Sequence, residues 1–369
     1  MTDSPVPLVD LGVQHRQVAD EVAEGWAAVL SRTAFVGGAA VKEFEEAYAS
    51  YTGAAHCIGV GNGTDAIEMA LRALGVGHGD ECVVPANTFI ATAEAVARTG
   101  ATVVLADCDE ATALLDPTAA GAAVTSRTKA ILPVHLYGQA APVEAIRAAV
   151  GDVPIVEDAA QSQGARRNGE PTGTLGVLAA TSFYPGKNLG AYGDAGAVLT
   201  SDPELATAVR LLGEHGSPRK YEHTVVGFNS RMDALQAVVL STKLRRLDEW
   251  NAQRRAAADR YATLLADVDG VVAPVTAEGN EHVWHLYVVR VAERDRVLAD
   301  LHAAGIGAGI HYPTPVHLTG AFADLGFSEG AFPASETLAG EILSLPLFPG
   351  ITEAQQERVV EVLAKAVVR

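Results

Sequence analysis

Short apolar runs alternate along the chain with stretches whose apolar residues recur at helical spacing. The runs Glu81 to Pro85, Ala101 to Ala106, Ala130 to His135, Pro154 to Glu157, Ala179 to Phe183 and Ala195 to Thr200 have the length and content of buried strands. Between several of them, stretches such as Ala91 to Arg98 and Pro142 to Val150 carry the 3.6-residue period. Strands separated by helices need crossover connections, so the pattern predicts an α/β fold with a mostly parallel sheet covered on both faces. From Met232 to Leu265 the pattern becomes one long helical region with basic residues on its polar side. Val283 to Val291 then reads as a strand, Asp295 to Ala304 as a helix and Gly305 to Gly309 as a turn, which predicts a smaller carboxyl-terminal α+β lobe. The expected division is a large domain over 1–240 and a small one over 241–369.

Composition narrows the classes. A chain of 369 residues that is 49% hydrophobic can bury a large core. Its formal net charge of -18 argues against nucleic-acid binding through phosphate contacts, and it implies that any anionic substrate must meet a locally basic pocket. The Met1-Thr2-Asp3-Ser4-Pro5 start has neither a basic nor an apolar segment, and no run is long enough to span a bilayer, so a cytoplasmic protein is expected. Cys57, Cys82 and Cys108 are widely separated and lie in or beside apolar segments, as small buried thiols do. Of eleven histidines only His282 and His285 are close together, and no other ligand type is near them, so no metal is inferred.

Lys187 sits between turn-forming residues in Ser182-Phe183-Tyr184-Pro185-Gly186-Lys187-Asn188-Leu189-Gly190. Upstream, the apolar run Val153-Pro154-Ile155-Val156 ends in Glu157-Asp158-Ala159-Ala160-Gln161. A loop lysine is ordinarily a solvated charge, and an aspartate after a strand is ordinarily a turn or cap residue. Together they are what pyridoxal phosphate (PLP) chemistry requires: an amine to form a Schiff base with the cofactor aldehyde, and a carboxylate to keep the pyridine nitrogen protonated. A P-loop is excluded, because Thr181 and Asn188 stand where its first glycine and its hydroxyl belong.

Gly59-Val60-Gly61-Asn62-Gly63-Thr64-Asp65 precedes the helical run Ala66 to Leu74, so free backbone amides and a positive helix end are expected to meet a phosphate there. The dinucleotide fingerprint fails at Thr64, where its third glycine belongs. Phe89, just beyond the Glu81 to Pro85 strand, would either stack on a planar ring or fill the core. Ser182 would either donate to the phosphate or face the sheet edge.

In order along the chain, Val36-Gly37-Gly38, the Gly59 to Asp65 loop, Pro85-Ala86-Asn87-Thr88-Phe89, His135-Leu136-Tyr137-Gly138, Glu157-Asp158-Ala159-Ala160-Gln161, the Lys187 segment and Gly227-Phe228-Asn229-Ser230-Arg231-Met232-Asp233 resemble the DegT/DnrJ/StrS sugar aminotransferases. The resemblance spans essentially the whole chain. It implies the fold type I of PLP-dependent aminotransferases, with Lys187 carrying the Schiff base and Asp158 on the pyridinium. Gln161 would contact the phenolic oxygen and Phe89 would cover the ring. Gly63, Thr64, the backbone at Asp65, and Ser182 would hold the phosphate, with Asn229 reaching it from the neighbouring subunit of a homodimer. The sequence departs from many relatives at Gln163, where they carry histidine; glutamine hydrogen-bonds but does not titrate in the same range.

Tyr184 to Asp194 and Gly309-Ile310-His311-Tyr312-Pro313-Thr314-Pro315-Val316-His317-Leu318 look most like the branch that aminates nucleotide-linked 3-keto-6-deoxyhexoses, commonly dTDP-linked, with L-glutamate as donor. Tyr184, His311 and Tyr312 are the substrate contacts this implies. Lys220 and Tyr221 would be diphosphate contacts or members of a solvated loop. The alternatives are amination at carbon 4 or of a ketocyclitol, a PLP-dependent sugar dehydratase, in whose relatives histidine replaces the lysine, and a noncatalytic PLP-binding regulatory protein.

Overall fold

The computed structural model describes residues 4–368, so the first three residues of the Met1-to-Pro5 start lie outside the described residues. Seven strands make the main sheet: β1 (His56–Val60), β2 (Glu81–Pro85), β3 (Thr102–Ala106), β4 (Thr128–Ile131), β5 (Val156–Asp158), β6 (Leu178–Ser182) and β7 (Gly196–Thr200). Their spatial order is β3-β2-β4-β5-β6-β7-β1. The β4–β5 seam is carried by parallel bridges at Ile131–Ile155 and Val134–Asp158, with Asp158 N–H donating to the Pro133 carbonyl at 2.9 Å. Every residue of β2 and of β7 is buried, as a sheet covered on both faces requires.

Only β7 runs against its neighbours, pairing antiparallel with both β1 and β6. The reason is its connection. No crossover helix separates β6 from β7, so the chain returns beside β6 in the opposite sense. The loop between them stays at one end of the sheet, closed by Phe183 N–H to Ala195 O and Ala191 N–H to Phe183 O, both 2.8 Å. That loop carries Lys187.

One strand was not expected, and some expected elements differ in detail. β1 was hidden because the expected phosphate loop begins inside it, at Gly59. The helical region from Met232 is two helices, Ala234–Leu244 and Leu247–Leu265. The break falls at Arg245 and Arg246, and both guanidiniums reach Glu21 on the Leu11–Arg32 helix, at 2.6 and 2.5 Å. The strand expected from Val283 begins at Tyr287, because Trp284 has a positive φ of 48° and the preceding segment is bonded instead to the Tyr137-Gly138 turn.

Tyr287–Val291 lies between Val271–Val272 and Ile342–Leu345 in a small antiparallel sheet. Helices Arg294–Ala303 and Glu353–Val367 and the end of Leu247–Leu265 close a separate apolar core against it. The start of that last helix, Leu247, belongs to the core under the main sheet instead.

At the end of β5 two consecutive carboxylates point to opposite faces, as the strand period requires. Glu157 is fully buried and accepts from His135 Nε2, Gly173 N–H and Gly176 N–H, each at 2.7 Å. The Ala141 amide donates to His135 Nδ1 at 3.0 Å, so the imidazole proton is on Nε2 and directed at Glu157. Glu157→Leu would leave three buried donors without an acceptor. The unfolding free energy should fall by about 3–5 kcal/mol, read as a lower urea midpoint; a midpoint equal to the parent's would mean that these bonds contribute little.

Candidate active site

The loops after β1, β2, β4, β5 and β6, all parallel strands, meet at their carboxyl ends around a cavity of about 660 Å³. Open α/β sheets characteristically bind ligands there. His285, Leu286, His311 and Tyr312 close the cavity from the later part of the chain, and the amino-terminal segment adds Leu8 and Val9.

Asp158 lines this cavity from the end of β5. Its Oδ2 accepts from Thr92 Oγ1 at 2.8 Å and its Oδ1 from the Ala160 amide at 3.1 Å. Thr92 is bonded in turn to Thr88 at 2.9 Å, one helical turn back. Gln161 is held from both ends, its Oε1 accepting from Tyr137 N–H at 2.7 Å and its Nε2 donating to Tyr312 Oη at 3.1 Å. Phe89 is 49% exposed and lines the cavity, so it is not a core side chain; its ring lies 5.0 Å from that of Tyr312.

Lys187 shares the cavity with Asp158. Burial lowers its ammonium from the ordinary 10.5 to about 8, against the opposing pull of the Asp158 charge. His285 is held well below its ordinary value, first by burial and then by the charges of Lys187 and Arg254 and by His311. His311 is lowered by burial and by Lys187, and its Nδ1 meets Ser344 Oγ at 2.8 Å.

The helix after β1 spans Gly63–Ala73 and is capped by Asn62, whose Oδ1 accepts the Asp65 amide at 2.8 Å. That amide, an expected phosphate donor, is therefore committed within the protein. The Gly63 and Thr64 amides precede the first helical bond, Ala66 N–H to Asn62 O, and have no intrahelical acceptor. Ser182 closes the same corner so tightly that a Cβ at Gly63 would lie 2.6 Å from Ser182 Cβ.

The fold thus gathers Gly63, Thr64, Asp65, Phe89, Asp158, Gln161, Ser182, Tyr184, Lys187, His311 and Tyr312 around one space. Lys220, Tyr221 and Asn229 are outside its lining: Tyr221 is 83% exposed, and Asn229 is exposed and bridged to Glu214. The expected basic pocket is not formed by this chain alone, since Asp65, Glu94, Asp158 and Asp194 outnumber Arg98 and Lys187 on the wall. Gln163 serves the scaffold, its Nε2 lying against Thr181 Oγ1 and Ser182 O at 3.0 and 2.9 Å. Thr92, Arg98 and His285 were not anticipated. The four-residue spacing of Thr88 and Thr92 was readable, but their meeting with Asp158 depends on packing between β5 and the Ile90–Thr99 helix. Among the described residues no cluster of three potential metal ligands occurs, and no helix is long and apolar enough to cross a membrane.

A sequence model of the DegT/DnrJ/EryC1/StrS aminotransferase family matches residues 17–364. The chain is 47% identical over 361 residues to the erythromycin biosynthesis sensory transduction protein EryC1 of Saccharopolyspora erythraea, covering 97% of this chain and 98% of that protein. It is 44% identical over 358 residues to the dTDP-3-amino-3,4,6-trideoxy-alpha-D-glucose transaminase of Streptomyces venezuelae, covering 96% and 94%. Its structure matches the crystal structure of S. venezuelae DesV in complex with a ketimine intermediate with a TM-score of 0.97 and 44% identity, over 99% of both chains.

The lowered lysine has a consequence for the cofactor-free protein. Lys187 and Lys243, both brought to about 8, release protons in the native state that the unfolded chain keeps up to about 10.5. Stability contributed in this way rises with pH through that window. The buried cysteines, whose thiols burial holds above their ordinary range, act in the opposite sense as pH passes about 9, so the lysine contribution is read as a difference: the urea midpoint of the parent relative to Lys187→Met should rise from about pH 8 towards pH 10. An unchanged slope in that variant would mean that Lys187 titrates elsewhere.

Proposed function

The chain belongs to the DegT/DnrJ/EryC1/StrS aminotransferase family, and we propose that it transfers the amino group of L-glutamate to carbon 3 of a nucleotide-linked 3-keto-6-deoxyhexose, commonly the dTDP form, using PLP. The observation that carries this reading is the meeting of a depressed lysine and a buried, doubly bonded carboxylate in one cavity at the strand ends. The S. venezuelae relative, named for a 3-amino dTDP-sugar, supports carbon 3. The name of EryC1 favours a second, regulatory reading. Lys187, Asp158 and Gln161 retained on one wall argue for catalysis instead.

The wall fits the cofactor. Gly63, without room for a Cβ beside Ser182, leaves a cradle in which the Gly63 and Thr64 amides and the Ser182 hydroxyl would hold a phosphate. Phe89 offers a half-exposed ring face, and Gln161 has one Nε2 hydrogen left to donate. When bound, PLP supplies a carbonyl carbon that exchanges amines and a ring that accepts the electron pair left by a departing proton. Asp158, immobilised by Thr92 and the Ala160 amide, would keep a proton on the ring nitrogen. The Lys187 amine, with its ordinary basicity reduced by burial, has enough free base near neutrality to take a proton from the donor's α carbon, and would deliver it to the cofactor side of the same C–N linkage. Tyr184, His311 and Tyr312 line the side where the sugar would lie.

The reading includes a homodimer. The acidic wall and the exposed Asn229, Lys220 and Tyr221 suit an arrangement in which a second subunit brings Asn229 to the phosphate and a basic loop to the diphosphate. It also includes a cofactor-binding lobe over 1–240 and a smaller lobe over 241–369, supported by the apolar core closed around the small antiparallel sheet, while Val316 and Phe332 pack into the core of the main sheet. A cytoplasmic location suits the three unpaired, buried cysteines.

Glutamate with a dTDP-3-keto-6-deoxyhexose should give 2-oxoglutarate and a 3-amino-3,6-dideoxyhexose nucleotide, with the nitrogen located by NMR. The 4-keto isomer should react about a hundredfold more slowly, because moving the ketone by one ring carbon loses its alignment with the amine. Nitrogen at carbon 4, or equal rates, would reject the regiochemistry; no turnover of any keto sugar would favour the regulatory reading. For the dimer, mixing inactive Lys187→Ala with Asn229→Ala subunits should restore activity, since some heterodimers contain one intact site. Subunit exchange without recovery would show that Asn229 serves its own chain.

A further inference from the structure

A buried line of amides runs from the scaffold into the cavity. The backbone carbonyl of Gln163 accepts from Asn251 Nδ2 at 2.9 Å, and Asn251 Oδ1 accepts from Asn188 Nδ2 at 2.9 Å. The Val283 carbonyl also accepts from Asn188 Nδ2, at 2.9 Å. Backbone carbonyls cannot donate, so both side-chain amides have only one orientation available. Asn188 Oδ1 is thereby turned to His285 Nδ1, 3.1 Å away. An amide oxygen only accepts; the imidazole proton must be on Nδ1.

Nothing nearby favours a second proton on this ring. The charged groups acting on His285 are the cations Lys187 and Arg254, with His311 beside them. Arg254 is itself tied to the carbonyls of Trp284 and Leu347, both at 3.1 Å, and His311 to Ser344. His285 is neutral, half-buried, and lines the same cavity as Lys187. Its Nε2 has a lone pair and no hydrogen-bond partner among the described residues.

We infer that His285 is a positioning residue for Lys187: the Asn251–Asn188 amide line fixes its Nδ1–H tautomer and leaves Nε2 bare on the cavity wall, where it accepts a hydrogen bond from the lysine amine once substrate has released that amine from the cofactor. The inference rests on the role proposed for Lys187 above. It gives Asn188, next to the lysine in sequence, a purpose distinct from loop geometry. It also explains why the chain abandons its strand at Trp284: the diverted segment delivers His285 to the cavity wall.

The test is ¹⁵N-histidine NMR of the PLP-loaded protein, with glutamate alone then added to convert the cofactor to its amine form and free the lysine. At neutral pH the His285 signals should be those of Nδ1–H with bare Nε2, and Nε2 should shift as the visible absorbance converts. The shift should be missing in Lys187→Ala. His285→Phe should slow the glutamate half-reaction about tenfold, the effect of one hydrogen bond to a charged amine, and His285→Gln should recover most of the rate. An Nε2–H tautomer, or an Nε2 signal that stays still while the absorbance converts, would overturn the inference. If the absorbance never converts, the aminotransferase reading fails, and the comparison of cofactor-free protein, whose lysine amine is free, with cofactor-free Lys187→Ala decides the hydrogen bond separately.

Discussion

Glu157 and Asp158 are adjacent on one strand, and a strand sends adjacent side chains to opposite faces. If either is fixed, so is the other. Glu157 is fixed by His135 and two glycine amides on the buried side, which leaves Asp158 facing the cavity. A slip of one residue that moved Asp158 into the place of Glu157 would bring Ala159 to the cavity, taking the charge from the site and placing a shorter side chain among the donors meant for Glu157. The seam between β4 and β5 supports the same register through the Val134–Asp158 bridge. From that register follow the reach of Thr92 to Asp158, the placement of Gln161 three residues on, and the alignment of β6, whose end launches the Lys187 loop.

Much of this was legible in the sequence. Strand-length runs and helical spacing predicted the covered sheet, and the Glu157-Asp158 and Lys187 segments pointed to a cavity at the strand ends. What stayed hidden depended on partners remote in sequence. No local residue type breaks the helical region at Arg245 and Arg246; both side chains are drawn to Glu21, more than two hundred positions away. Asp65 illustrates another kind of miss. Its position at a helix start was readable, but the Asn62 cap that claims its amide competes with the expected phosphate for the same donor.

The acidic wall has a similar cause. Composition and a phosphate loop suggested local positive charge, yet the cavity of one chain gathers more carboxylates than cations. Arg98, which does reach the rim, is already engaged by Glu68 at 2.8 Å and lies 3.5 Å from Asp65. A sequence reveals which charges exist; their neutralisation by neighbours belongs to tertiary structure.

Lys243 bears on how a carbonyl compound finds its amine. It is buried, brought to about 8 like Lys187, and donates to the Gly190 carbonyl at 2.6 Å while lying 4.5 Å from the Tyr192 ring centre. Near pH 7 each lysine is about one-tenth free base, some hundreds of times more than an unperturbed lysine. Basicity therefore cannot distinguish the two as nucleophiles. Access can: Lys187 opens on the cavity, whereas Lys243 has its nitrogen engaged inside the loop's support. Selectivity between two amines whose basicity burial lowers alike is then a matter of which one a small aldehyde can physically approach.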